Sequence, residues 1–368
     1  MNTPNAASRP RTRRTRFVCV SDTHSASPAD GAFKLPKGDV LIHAGDLTNQ
    51  GSYTELQKTL DWIICADFEA KIVIAGNHDI TLDSEFYEEQ GLYLHNQRAQ
   101  NPRQCLNLVR NAPGVTYLHN SSATIHLRSP DGPHTCFTVY GSPCVPKRGL
   151  WAFGYDHDSH LAERLWSSVP LETDIVVTHT PPYNHCDSSP KWGAAGCEEL
   201  RKALWKVRPR LAVCGHVHEA RGAERVTWRL DLPHVPFLEE KTVAWIDPGA
   251  GTKKMSLLDL TARRGNSLKN DGASGRTMPQ ALVSFAEGAT VDKDGVVKPE
   301  TSGAIQPEEV AGTMLQHQEA LSGRMGRRET AIVNAAIMAR SYGNGPKQFN
   351  KPIVVDVDLP VWQEGDSQ

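Results

Sequence analysis

A chain of 368 residues with 40 basic against 42 acidic side chains is nearly neutral, which excludes the strongly basic balance of a dedicated nucleic-acid or membrane-surface binder. No apolar run reaches the roughly 18 to 20 residues that a membrane span needs. Eight cysteines occur without a Cys-x-x-Cys pair, a usage that argues against a structural zinc knot and for a reducing, cytoplasmic setting.

Residues 1–15 are Arg-rich and lack the apolar stretch of a secretory signal, so they read as a flexible basic tail. Arg16 to Val20 has the run of β-formers expected of a first strand, and Asp22 and His24 follow its end. Asp39 to Ala44 predicts a second strand that closes on Gly45 and Asp46. Ser52 with Glu55 three residues later forms a capping box, and Leu56, Leu60, Ile63, Ile64 and Phe68 recur at helical spacing behind it. Lys71 to Ala75 is then a buried third strand whose carboxyl tip carries Asn77, His78 and Asp79. Strand, helix, strand in this order is a βαβ unit with a right-handed crossover.

Past Pro113 the period changes. Val115 to Leu118, Ala123 to Leu127 and Cys136 to Tyr140 are short runs between turn residues, which predicts an antiparallel portion beside the parallel one. Trp151, Phe153 and Tyr155 are expected to be packing residues, with Trp151 retained as a candidate substrate contact. Ile175 to Thr178 and Leu211 to Cys214 predict two more strands, ending on His179 and on Gly215-His216-Val-His218, with a helix over Cys197 to Val207 between them. His185 and Asp187 are assigned to a mobile surface loop. Arg225 to Arg229, Thr242 to Ile246 and Met255 to Asp259 look like finishing strands, so one catalytic domain spans 16–261. Residues 262–306 read as linker or disorder, and 307–368 as a helical extension ending in a strand, Ile353 to Val357, that packs on the core.

Five strand ends therefore deliver Asp22, His24, Asp46, Asn77, His179, His216 and His218 to one edge, the place where α/β sheets bind their ligands. Oxygen and nitrogen donors without thiolate suit manganese first, then iron or zinc, and seven donors suit two divalent ions better than one. A carboxylate bridges two ions more readily than an imidazole or an amide, and Asp46 is the expected bridge. Such a centre activates a bridging hydroxide and neutralises a phosphate ester, with His78 and Asn77 placed to touch the substrate and His78 able to protonate the leaving group. The expected activity is phosphoester hydrolysis of a small substrate, with neither a membrane nor an obligate protein partner.

The same motifs, Asp22-x-His24, Gly45-Asp46, Gly76-Asn77-His78-Asp79, Thr178-His179 and Gly215-His216-x-His218, resemble those of the calcineurin-like metallophosphoesterase superfamily. Within it, Gly45-Asp-Leu-Thr-Asn49 and Gly215-His-Val-His-Glu219 resemble the metallophosphoesterase-domain-containing branch that has brain and fungal members. The resemblance implies an α/β fold, a mixed β-sandwich flanked by α-helices. It also implies one ion held by Asp22, His24, Asp46 and His218 and another by Asp46, Asn77, His179 and His216. It points to a phosphodiesterase for cyclic nucleotides or similar diesters. A phosphomonoesterase and a low-turnover metal- or nucleotide-binding regulator are the alternatives. Asn49 stands where many members carry an acidic residue, so the group that orients His78 must be sought elsewhere.

Overall fold

The computed structural model describes residues 11–156, 160–230, 237–270, 326–340 and 347–362. In chain order, β1 (Thr12–Val20), β2 (Val40–Ala44), α1 (Tyr53–Cys65) and β3 (Ala70–Ile74) make the expected βαβ unit. The Ser52–Glu55 capping box starts α1, each side chain satisfying the other's backbone N–H. α2 (Ser84–Leu94), α3 (Pro102–Arg110) and β4 (Val115–Tyr117) follow, then the hairpin of β5 (Ser121–His126) and β6 (Cys136–Ser142). A short pair, β7 (Val145–Pro146) with β8 (Gly154–Tyr155), leads to α4 (His160–Ser167) and β9 (Ile175–Thr178). The two-residue β10 (Ser188–Ser189) and β11 (Gly193–Ala194) precede α5 (Glu198–Val207) and β12 (Leu211–Cys214). β13 (Gly222–Trp228), β14 (Glu239–Ala244), β15 (Ser256–Leu260), β16 (Glu329–Asn334) and β17 (Ile353–Pro360) complete the strands.

Two large sheets result, ordered β15-β17-β1-β2-β3-β4 and β14-β13-β16-β12-β9-β6-β5. Strand alternation gives each sheet two apolar faces. Phe17, Cys19, Ile42 and Ile72 of the first sheet and Phe137, Val139, Val177 and Val213 of the second fill the space between them, and Phe17 meets Phe137 edge-on at 5.3 Å. The alternate residues Val18, Leu41 and Val73 face out and are covered by Leu56, Leu60 and Ile63 of α1 and by α3. Val176, Ala212 and Ile332 are likewise covered by Trp166 of α4 and by Leu200, Leu204 and Trp205 of α5. The molecule is thus the expected mixed sandwich with helices outside, and among the described residues no helix is long and apolar enough to cross a membrane.

Several elements differ from expectation. β1 begins within the presumed tail: Thr12 to Thr15 pair with β17, and the buried Thr15 hydroxyl bonds Thr135 at 2.6 Å. Residues 1–10 lie outside the described residues. Val115–Tyr117 pairs parallel with β3 and extends the first sheet instead of joining the hairpin, because α2 and α3 carry the chain across that sheet's outer face. Of the presumed linker, Ala262–Arg264 forms a helical turn and Leu268 and Asn270 are buried, Asn270 bonding the backbone of Arg328 and Glu329; residues 271–306 lie outside the described residues. Glu329–Asn334, expected in a helical piece, is a central strand buried on both faces, while 307–325 lie outside the described residues. The terminal strand β17, expected to pack on the core, is itself a largely buried core strand. It is inserted between β15 and β1.

Candidate metal centre

β1, β2 and β3 run parallel, and so do β9 and β12, so their carboxyl tips gather at one end of the sandwich. The tips are tied together through their backbones: Asp22 N–H donates to Gly45 O (2.9 Å) and His24 N–H to Asp46 O (3.1 Å). Asp22, His24, Asp46 and His216 all have positive φ, between 44° and 67°. This conformation disfavours residues with a Cβ and persists where surrounding contacts impose it, commonly at functional sites. Two glycines allow the close approach. A Cβ on Gly76 would lie 2.2 Å from Asp46 N, and one on Gly215 would lie 2.3 Å from Asp22 Oδ2.

Asp22, His24, Asp46 and His218, all buried, each offer a ligand atom within 4.8 Å of the others. His24 Nε2 is 3.3 Å from His218 Nε2 and 3.6 Å from Asp46 Oδ2, and His218 Nε2 is 3.3 Å from Asp22 Oδ1. On the other side, Asp46 Oδ1 lies 3.3 Å from His179 Nε2, which is 3.1 Å from Asn77 Oδ1. The His216 ring stands 5.1 Å from that of His179, and the His216 backbone N–H donates to Asp22. Asp46 thus turns one oxygen to each half of the group.

The second contacts fit a divalent cation. His24 Nδ1 donates to Thr48 O (3.1 Å) and His179 Nδ1 to Ala44 O (2.8 Å), an arrangement that leaves each Nε2 lone pair aimed into the group. Burial would raise the Asp22 carboxyl, but the His218 hydrogen bond and the nearby imidazoles outweigh it and hold it at about 2. Burial likewise acts on Asp46, and His179, His78 and His24 keep it well below the ordinary carboxylate range. Burial lowers His24 to about 4 and His216 to about 3, which keeps those rings neutral. Burial also opposes charge on His179, yet Asp46 overcomes it and raises the ring to about 9; a bound cation would compete with that proton.

Asp79 is the residue whose role the sequence concealed. Its carboxylate accepts from the backbone N–H groups of Leu47 (3.1 Å), Thr48 (2.9 Å) and Gly76 (2.8 Å) and from the Thr48 hydroxyl (2.7 Å), locking the β2 loop to the β3 loop. Asn334 does the same for the β12 loop by donating to Val217 O (2.9 Å) and Cys186 O (3.0 Å). No local signal marks this role of Asn334, since the carbonyls its amide reaches are more than a hundred residues away.

His78 sits at the open side, half-buried, its backbone N–H donating to Asp46 Oδ1 at 2.8 Å. The missing carboxylate at position 49 is answered by a backbone group: His78 Nδ1 donates to Asn49 O at 2.8 Å. Asn49 is itself fixed, its side chain donating to His24 O (3.2 Å) and to Glu55 of the capping box (3.1 Å). Trp151 lies over the His78 ring with centroids 3.9 Å apart and 31° between planes, and Ala152 N–H bonds Asn77 O at 3.2 Å. Phe153 and Tyr155 are buried in separate cores, under the outer face of the first sheet and of the second respectively, as packing residues should be. His185 is no surface-loop residue. It is buried between Glu224 (2.8 Å) and Glu239 (2.9 Å).

A family model described as calcineurin-like phosphoesterase matches residues 15–220. Metallophosphoesterase domain-containing protein 1 of Homo sapiens is 38% identical over 56% of this chain and 62% of its own length. A protein of Emericella nidulans named "Probable rhamnogalacturonate lyase C" is 40% identical over 58% of this chain but 18% of its own. A UPF0046 protein of Caenorhabditis elegans is 33% identical over 57% of this chain and 70% of its own. The chain therefore spans less than two thirds of the human and fungal relatives.

Proposed function

The chain belongs to the calcineurin-like phosphoesterase family, and from that premise we propose that it is a phosphodiesterase with two divalent metal ions, acting on cyclic nucleotides or similar small diesters. The observation that carries the reading is Asp46, with Oδ2 toward His24 and Oδ1 toward His179, the disposition of a carboxylate shared between two cations. In this reading Asp22, His24, Asp46 and His218 would hold one ion and Asp46, Asn77, His179 and His216 the other, manganese being the first choice for this donor set. When bound, the ions supply Lewis acidity toward the phosphoryl oxygens and make water more acidic.

The protein's own groups do the rest. Asn77 and His78 flank the phosphoryl position from the tip of β3. The Asn49 carbonyl, by accepting the Nδ1 proton of His78, fixes the orientation of the ring. In this reading the Nε2 end of the ring supplies the proton to the departing alkoxide. Trp151 covers the outer face of that ring and borders the substrate. Among the described residues, which include every cysteine, no disulfide forms, and this supports a reducing cytoplasm as the working compartment. The test is parallel turnover of a cyclic nucleotide, a chromogenic diester and a chromogenic monoester with added manganese. The diesters should dominate, and a monoester favoured by orders of magnitude would make the protein a phosphatase. Tight nucleotide binding without product would make it a regulator.

A further inference from the structure

We infer that a C-terminal segment, outside the region matched by the family model, builds an anion-selecting subsite at the metal centre, so that the preferred diester carries a second negative group on its organic arm. The inference rests on the phosphodiesterase reading and names its substrate class. After β16 the chain runs beside the tip of β1: Ser21 N–H donates to Ala335 O (2.9 Å), and the N–H groups of Ile337 and Met338 donate to Ser21 O (2.8 Å) and Asp22 O (3.2 Å). Residues 348–350 then pair back onto it, through Ala339 N–H to Gln348 O (2.9 Å), Asn350 N–H to Ile337 O (2.6 Å) and the Asn350 amide to Ala336 O (3.1 Å). These bonds hang Lys347 and Phe349 directly from the backbone that carries Asp22.

Lys347 and Phe349 face the loop of Ser25, Ala26 and Ala32, and with His24 and Asn49 they line an open groove of about 430 Å³. That volume falls in the range of small-molecule sites. His24 in its wall places one end of the space at the metal ligands. The lining holds one carboxylate, Asp30, and one ammonium, Lys347. The Asp30 carboxylate is already taken by Lys58 (2.9 Å) and the Ser27 hydroxyl (2.8 Å), which leaves Lys347 as the cation facing the space. Phe349, packed on the core beneath α1, adds an apolar wall. A phosphodiester held at the ligand end would lay its organic arm against Phe349 and present a further phosphate or carboxylate to Lys347.

The experiment compares a chromogenic nucleoside phosphodiester with the same compound bearing a second phosphate on its free ribose hydroxyl. Wild type should favour the second compound in kcat/KM. Lys347→Ala should cut that kcat/KM about fivefold, through KM, and leave the first compound within about twofold, whereas Lys347→Arg should retain the preference. Equal rates for the two compounds in wild type, or equal losses in Lys347→Ala, would overturn the subsite while leaving the phosphodiesterase reading in place. Turnover of neither compound with any divalent metal would overturn that reading. Calorimetric binding of the doubly phosphorylated compound then decides the subsite separately: Lys347→Ala should weaken it, and an unchanged Kd overturns the inference.

Discussion

At the scale of single residues, the candidate ligands were legible because strand grammar is local. A continuous run of β-formers ending on His, Asp or Asn announces both the element and the direction its tip points, and Asp22, Asp46, Asn77 and His179 needed no more than that. What their neighbours do was not legible. His78 is held by the Asn49 carbonyl and by the face of Trp151, contacts made by a main-chain group and by a residue 73 positions away. Trp151 consequently looks like a clamp on His78 as well as a border for substrate. Trp151→Ala should lower kcat about tenfold with a smaller change in KM, and Trp151→Phe should restore most of it, because a displaced catalytic ring loses turnover rather than binding. A rise in KM at unchanged kcat would assign Trp151 to the substrate alone.

At the scale of elements, the parallel strands and α1 follow from their patterns, and the departures share one cause. Short runs such as Val115–Tyr117 and Glu329–Asn334 fit either sheet or a helix on local pattern, and distant partners decide: β3 for the first, β12 and β13 for the second. The loop after β9 shows the same dependence, since β13 and β14 supply Glu224 and Glu239 to His185, turning a presumed surface loop into a fixed one. Burial opposes charge on His185, but its two carboxylate partners raise its pKa above the ordinary imidazole value. Burial would raise Glu239, but His185 and Arg201 lower it to about 2. The raised His contributes fully below its unfolded pKa of about 6.5 and loses its contribution as pH climbs through the folded value; the lowered Glu contributes fully above about 4.5 and loses its contribution as pH falls toward 2. His185→Gln should therefore cost about 2 kcal/mol near pH ~5.5 and less near pH ~9, measured by urea unfolding. An equal loss at both pH values would show that the ring acts by packing alone.

At the scale of the whole molecule, two sheets of different composition lean together so that the tips of β1, β2 and β3 from one and of β9 and β12 from the other meet at one edge. The sequence revealed the five tips but not the closure, which depends on β16 and β17 returning from the far end of the chain to sit inside the sheets. Asp79 and Asn334 then bind the loops to one another, and Asp46 ends in the middle with an oxygen toward each half. The account stands on that shared carboxylate. Metal content per chain, measured by plasma mass spectrometry after manganese loading and desalting, should be about two for wild type and fall toward one or none in a folded Asp46→Asn variant. Two ions retained without the Asp46 carboxylate would contradict it.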